Sequence, residues 1–482
     1  MSTNSIKLYR TLSTLNPKEL DKFGRFVHSP YFHTHAETIS FFDLIRDEYP
    51  DFSSPKISPQ NLFSAIYPGE NFDDNKIRTL RKYLLELLYR FLAQERQNSD
   101  ENVFYRALLF ELLERKLEDD FPRVHQQSID TLDETPIRDE QYYYNWFFLE
   151  RLQLHFDIQT RNRLENKPYD QIMLPLNHSF IIQKLNYACS KVNQEKARGI
   201  VTTPSLFLGT VLKHCQENFD SIPILAKAYF LCHQLLDETE TEETLSTLQN
   251  ILYKHHLSIG DIHLQNIFGY AINYCNRRYR KGDTQFLTTM FQLYQKMLML
   301  NLLFEKGKLS THQYKNLTTL GLRVGEIEWT RNFILHYKDR LPSEYREGVY
   351  HYNLAHLYSY EGTYREALKQ LREVTFIDPY YRISYQMLMM KIYYECIEIE
   401  PLLSLVQSFR ANIRRNNALP ENQKQVYNNF ARFLKALFMI KIGKKPRKKT
   451  LPNQIDSCKA LIEKDWLLDK AGQLLSGTQT SL

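Results

Sequence analysis

The chain has 482 residues, which is too long for one compact core, so we expect two or three domains or an elongated array of small units. Hydrophobic residues make up 43% and charged residues 24%, the usual balance of a folded soluble protein, and no apolar stretch is long enough to span a bilayer. The net charge is +6, and the run KIGKKPRKK at 441–449 contains six basic residues and no acidic one, so the rest of the chain is neutral.

The first sixteen residues, MSTNSIKLYRTLSTLN, lack the apolar core of a signal peptide, so we expect a cytoplasmic protein. The six cysteines form no CxxC pair and fall in apolar, helix-like patterns, which favours buried free thiols in a reducing compartment. They are Cys189, Cys215, Cys232, Cys275, Cys396 and Cys458.

Helical periodicity runs through almost the whole chain, which has only 15 glycines. Near the N-terminus, Asn16 and Pro17 form a helix start, and residues 74–94 place their leucines on one face behind a cap at Asp73 or Asp74. We predict an N-terminal helical domain over 1–98, which ends in a polar run. Residues 99–260 follow as helical hairpins whose repeats cannot be aligned, and 261–475 as a more regular array.

No catalytic or cofactor signature occurs: GxxxxGK[ST], GxGxxG, GxSxG and HExxH are all absent. His28, His33 and His35 lie close together, but with no cysteine nearby and only Glu37 as a carboxylate they read as loop histidines, not as a metal site. We therefore expect no enzyme activity, no cofactor and no metal.

The stretch NLAHLYSYEGTYREALKQLREVTFIDP, at 353–379, carries the most informative pattern. Small residues at Ala355 and Ala367 allow two helices to approach closely, Gly362 relieves the turn, and Pro379 is expected to stop the second helix. This pattern, clearest over 348–381, resembles a tetratricopeptide repeat (TPR), a helix–turn–helix unit of about 34 residues. The stretch also matches the TPR motif at Leu354, Tyr358 and Tyr364.

Weaker copies of the pattern occur on both sides of this unit. A unit 37 residues upstream departs from the motif at Thr318, Gly321 and Thr330; another begins 34 residues downstream, and a fourth begins at 425–441, before a closing helix predicted at 451–475. In the closing helix, Trp466, Leu467 and Leu468 are expected to face the array. The resemblance implies an all-α fold: a TPR-like α-solenoid in which each hairpin buries its apolar face on its neighbours.

In a TPR-like solenoid the first helix of each unit lines the concave surface. The resemblance therefore implies a groove that is basic at one end and aromatic at the other. The predicted groove residues are Lys315, Thr319, Arg323, Tyr352, His356, Tyr360, Gln386, Met390 and Tyr394. Such a groove suits an extended protein or peptide partner with an acidic group or a C-terminal carboxylate, unless a following helix covers it. This makes the chain a non-enzymatic scaffold or adaptor.

The alternative is a nucleic-acid-binding regulator. Residues 58–94 resemble slightly the helix-turn-helix part of bacterial regulators that carry TPR-like repeats, with Lys76, Arg78, Arg81 and Lys82 toward DNA. Against this, the segment that should form the wing reads as another helix. The solvated face of a packed helix also explains these basic residues.

The basic run then falls in a turn between the last two predicted helices, and Gly443 and Pro446 interrupt the helical pattern there. We expect a solvated turn whose cations interact favourably with the negative, C-terminal end of the preceding helix. The alternative is a local contact for a small acidic surface. Its basic residues are Lys441, Lys444, Lys445, Arg447, Lys448 and Lys449.

Overall fold

The structure is a computed structural model that describes residues 6–160, 169–199, 203, 205–241, 243–374, 379–417, 419–444 and 450–476. Within these ranges the chain forms 23 α-helices and one two-stranded antiparallel hairpin, which confirms the predicted all-α class. None of the helices in these ranges has both the length and the hydropathy that crossing a bilayer requires.

The first eleven helices are α1 Lys7–Leu12, α2 Pro17–Val27, α3 Ala36–Arg46, α4 Pro59–Ile66, α5 Asp74–Asn98, α6 Glu101–Glu114, α7 Phe121–Glu134, α8 Glu140–Gln159, α9 Tyr169–Arg198, α10 Leu208–Glu217 and α11 Ile224–Asp237. The next six are α12 Thr244–Lys254, α13 Asp261–Arg280, α14 Phe286–Met299, α15 Thr311–Arg323, α16 Ile327–His336 and α17 Arg346–Tyr360. The last six are α18 Tyr364–Arg372, α19 Pro379–Cys396, α20 Ile399–Arg415, α21 Glu421–Lys441, α22 Leu451–Ser457 and α23 Lys464–Ser476. The strands are β1 Phe304–Glu305 and β2 Lys308–Leu309.

The chain divides into two compact units. Unit 1 comprises Met1–Leu185 and Phe207–Ala226, and unit 2 comprises Asn186–Leu206 and Lys227–Leu482. This division is coarser than the predicted one into three parts, which stays a prediction.

Unit 1 contains the predicted N-terminal helices with their predicted caps. Asn16 and Glu19 form a capping box at the start of α2, and the Asp73 side chain accepts a hydrogen bond from the backbone of Asn75 at the start of α5. One apolar cluster spans α1 to α5, where the rings of Tyr9 and Phe52 stack. A second cluster joins α6, α7 and α8.

In unit 2, α17 and α18 form the helix–turn–helix predicted at the clearest repeat. Ala355 and Ala367 are both fully buried, and Gly362 has a φ of 78° in the turn between the helices. The prediction for Pro379 was wrong: α18 ends at Arg372, and Pro379 is the first residue of α19. Proline suits this first position because the amide there has no partner within its own helix.

The C-terminal helices of unit 2 share an apolar cluster that spans α19 to α23. The predicted helix start near 425 is confirmed in α21, but the single closing helix predicted at 451–475 is wrong. Two helices, α22 and α23, occupy that stretch, and residues 458–463 break the helix between them. Leu467 of α23 is fully buried, and Trp466 and Leu468 are partly buried and pack against the same cluster.

Candidate partner-binding cavity

Unit 2 contains a cavity of about 550 Å³. The helices α13, α14, α15 and α17 each contribute lining side chains. Examples are Tyr279 on α13, Met290 on α14, Thr319 on α15 and His356 on α17. The helix α19 contributes Ser384, Met387, Leu388 and Lys391, and the break before α23 contributes Ile462 and Glu463. Polar, aromatic and thioether side chains therefore surround one space.

Three cationic side chains line this cavity, and they come from only two helices. Lys315 and Arg323 lie two turns apart on α15, and Lys391 lies on α19. Lys315 donates a hydrogen bond to Ser384 Oγ, and its Nζ lies 5.4 Å from the centre of the Tyr381 ring. The ring faces attract the ammonium group, so they hold Lys315 in place.

Among the described lining residues, Glu463 provides the carboxylate that faces these cations. Its Oε2 lies 2.9 Å from Lys391 Nζ, and its Oε1 lies 3.8 Å from a guanidinium nitrogen of Arg323. Burial alone would raise the pKa of the Glu463 carboxyl, but the charges of Lys391 and Arg323 outweigh it and hold that pKa below its ordinary value. The cavity thus has an internal ion pair and an excess of positive charge.

His356 extends into the same charged space from α17. Burial, together with the charges of Lys391, Lys315 and Arg323, lowers the pKa of His356 to about 3, although Glu463 acts in the opposite direction. The imidazole is therefore neutral at neutral pH. Its Nδ1 is buried and has no hydrogen-bond partner.

A smaller cavity of about 210 Å³ adjoins the first and shares His356, Leu388 and Lys391 with it. Tyr360, which is half exposed, and Lys470 also line this smaller cavity. Here too a carboxylate meets a cation, because Glu395 lies 2.8 Å from Lys470 Nζ. The two cavities share lining residues on α17 and α19, and together we call them the charged groove.

The structure brings six of the nine predicted groove residues together along the charged groove. These are Lys315, Thr319, Arg323, Tyr352, His356 and Tyr360. Tyr352 is only 4% exposed, so it forms a wall of the cavity and offers little open surface.

The other three predicted residues lie elsewhere, and this part of the prediction needs correction. Met390 and Tyr394 are buried in the apolar cluster of the C-terminal helices, and Gln386 is half-buried and does not line either cavity. The face of α19 that lines the groove carries Ser384, Leu388 and Lys391 instead. A helix has 3.6 residues per turn, so a shift of one or two positions turns the predicted face into the core.

Two residues that dominate the charge of the site, Lys391 and Glu463, are absent from the predicted set. Lys391 had a usable signal, since it is the one charged residue between Arg382 and Glu395 in an otherwise apolar helix. Glu463 had none, because the expected continuous helix placed it in the middle of a helical face.

The predicted basic turn is described only in part. Lys441 belongs to α21 and turns inward: its Nζ lies 3.5 Å from a Glu395 carboxylate oxygen and over the Tyr394 ring. Burial lowers the pKa of Lys441, which is therefore not part of a solvated turn. Lys444 is exposed. The remaining members of the run, Lys445, Arg447, Lys448 and Lys449, lie outside the described residues.

Three of the four cations on the helix proposed for DNA contact lie beside carboxylates of the helix or of the loop before it. Lys76 lies 2.5 Å from Glu70, Arg78 lies 2.6 Å from Asp74, and Lys82 lies 4.0 Å from Glu86. The guanidinium of Arg81 lies over the Tyr9 ring, with two of its nitrogens buried. The helix α6 occupies the segment where a wing hairpin would follow.

Neither a metal site nor a reactive thiol is evident in the part of the chain that the structure describes. No group of three or more His, Cys, Asp or Glu side chains there could hold a metal ion. Burial raises the pKa of the Cys189, Cys215, Cys232 and Cys275 thiols, which makes them poor nucleophiles. The other two cysteines, Cys396 and Cys458, are half-buried.

Comparison of the chain with family models, curated proteins and solved structures found no match. The case for any function therefore depends on the chemistry of the groove.

Proposed function

We propose that this protein is a non-enzymatic adaptor of TPR-like architecture that binds an acidic segment of a protein or peptide partner in the charged groove. The observation that carries the proposal is the convergence of Lys315, Arg323 and Lys391 on one cavity. Charge-assisted hydrogen bonds to carboxylates are about twice as strong as neutral ones, and a low-dielectric cavity strengthens them further.

The lining of the groove suits an extended peptide segment. The main cavity has about 550 Å³, and the smaller one, of about 210 Å³, shares His356, Leu388 and Lys391 with it. Apolar side chains line the main cavity together with the charged ones, among them Met290, Met387 and Leu388. A peptide presents the same mixture of charged ends and apolar side chains along its length.

The chemistry of the site supports binding and not catalysis. A general base works best when its pKa lies near the working pH, and the pKa of about 3 makes the His356 imidazole a poor proton acceptor. The nearest carboxylate, Glu463, is engaged by Lys391 at 2.9 Å. Such fixed charges suit recognition.

Selection of displayed random peptides on the purified full chain tests the proposal. We expect enriched peptides to contain Asp or Glu, and their affinity to fall at least tenfold for the double variant Arg323→Gln/Lys391→Gln, which corresponds to a loss of about 1.4 kcal/mol.

The matched control is Lys369→Gln/Lys435→Gln, which removes the same charge from exposed positions on α18 and α21, outside the groove. Equal affinity of the selected peptides for the two double variants, or enrichment without acidic residues, would contradict the proposal.

A further inference from the structure

The carboxylate in the charged groove comes from an unusual place in the chain. Glu463 lies at the end of the 458–463 break, directly before α23, and its backbone has a φ of 56°. Non-glycine residues rarely adopt this left-handed region, because it is sterically unfavourable for a residue with a Cβ atom. The local backbone is thus held in an unfavourable conformation at the residue that brings a carboxylate to Arg323 and Lys391.

The segment around Glu463 is anchored by contacts that do not involve this carboxylate. Asn429 Nδ2 donates to the Ala460 carbonyl oxygen at 2.9 Å, and Lys464 Nζ lies 2.8 Å from Asp456. Leu461 and Ile462 pack against the apolar cluster of the C-terminal helices. The Glu463 side chain can therefore leave its position while the break and α23 stay in place.

The fit of Glu463 to its two cations is unequal. Lys391 is at hydrogen-bonding distance, but the 3.8 Å to Arg323 exceeds the 2.7–2.9 Å of a charge-assisted hydrogen bond. A carboxylate that enters freely can take the two-pronged geometry that guanidinium groups prefer.

We infer that Glu463 occupies the position of a partner's carboxylate in the unliganded protein, and that an acidic segment binds by displacing it from Arg323 and Lys391. This inference depends on the proposed function, since it names the group of the partner that is recognised. A carboxylate is the favoured anion because the site already accommodates one. Every partner then competes with the Glu463 carboxylate, and this competition lowers the affinity for segments that carry few acidic groups.

Removal of the Glu463 carboxylate tests the inference. Two variants are compared with the wild-type full chain: Glu463→Gln, and Glu463→Gly, which also suits the left-handed backbone and so preserves the fold. The matched control is Glu328→Gln, which changes the same charge at a highly exposed position on α16. Thermal unfolding of each variant verifies that the fold is intact.

Binding is measured by fluorescence anisotropy with three labelled probes. One is an octaglutamate peptide with an amidated C-terminus, another is a Gly-Ser octapeptide with a free C-terminal carboxylate, and the last is the same Gly-Ser peptide amidated. The first two distinguish side-chain from terminal carboxylates. We expect both Glu463 variants to bind one of the two carboxylate probes at least tenfold more tightly than wild type and Glu328→Gln do. For the amidated Gly-Ser peptide we expect no gain in affinity over wild type.

Two other results would overturn the inference in different ways. If wild type and both Glu463 variants bind a carboxylate probe with equal affinity, the displacement is wrong and the proposed function stands. If no form of the protein binds either carboxylate probe, both the displacement and the acidic-partner function fail.

Discussion

Gly321 and Thr330 depart from the TPR pattern, and the structure explains the two departures together. A methyl group built on Gly321 would lie 2.2 Å from Thr330 Oγ1, and Thr330 itself is fully buried between α15 and α16. A larger residue at one position is thus matched by a smaller one at the other.

We expect Gly321→Ala to lower the free energy of unfolding by about 3 kcal/mol, because the added methyl group has no room in this packed interface. Urea unfolding followed by tryptophan fluorescence measures this, since the Trp329 ring contacts Phe291 beside the site. Gly269→Ala, where a methyl group meets nothing within 4 Å, is the control. The double variant Gly321→Ala/Thr330→Ala should recover much of the loss, and a single variant as stable as wild type would show that the contact is unimportant.

His356 should make the stability of unit 2 depend on pH. Its pKa of about 3 in the folded chain lies below the ordinary 6.5, so the unfolded chain binds more protons between these values. Stability is therefore complete above about pH 6.5 and decreases as the pH falls toward 3. The lowered pKa of the Glu463 carboxyl acts in the same direction.

We expect His356→Gln to remove the imidazole contribution, which amounts to about 2 kcal/mol between pH 8 and pH 5. The thermal unfolding midpoint, measured across this range, should thus fall less steeply for the variant than for wild type. His255→Gln, at a loop position beyond α12, controls for the loss of an imidazole. Parallel pH profiles for wild type and His356→Gln would show that His356 is not held neutral by its surroundings.

At the scale of the helices, the turn between α17 and α18 requires glycine. Gly362 has a φ of 78°, where a side chain is strained. We expect Gly362→Ala to lower the unfolding free energy by about 1 kcal/mol, and Gly362→Asn by less, since asparagine tolerates this conformation better. Urea unfolding of both variants checks the order, and equal losses for the two would show that the backbone angle is not the cause.

The sequence predicted the helices and most of the first two groove-lining faces, but not the third. The turn glycine and the small residues of α17 and α18 define the register there, so Tyr352, His356 and Tyr360 could be assigned. In α19 the predicted groove face depends only on the 34-residue spacing from α17, and Met390, which this spacing assigns to the groove, is fully buried in the core. Almost every face of α19 is apolar, so periodicity cannot show which side meets the neighbouring helices.

The break between α22 and α23 also lay beyond what the sequence could show. Residues 458–463 contain no glycine or proline, and the pattern around them continues as an amphipathic helix. Tertiary contacts such as Asn429 with Ala460 decide the matter, and they join residues 31 positions apart. The residue that completes the site, Glu463, is therefore visible only in the folded chain.

At the scale of the whole molecule, the small net charge conceals how charges are distributed. On α5 the cations that a DNA-binding function would need lie beside Glu70, Asp74 and Glu86. In the larger cavity of the groove, three cations face one carboxylate. Positive charge is therefore concentrated locally, at the lining of one cavity.

The salt dependence of DNA binding distinguishes the adaptor from the nucleic-acid alternative. Each phosphate that a cation neutralises adds about 0.9 to the slope of log affinity against log salt, so three contacts from α5 would contribute about 2.7. We expect the triple variant Lys76→Gln/Arg78→Gln/Lys82→Gln to change that slope by less than about 1 in anisotropy titrations of a labelled 30-base-pair duplex, because neighbouring carboxylates already neutralise these cations. A slope reduced by nearly the full amount would instead place DNA on α5, and the groove would then need a different explanation.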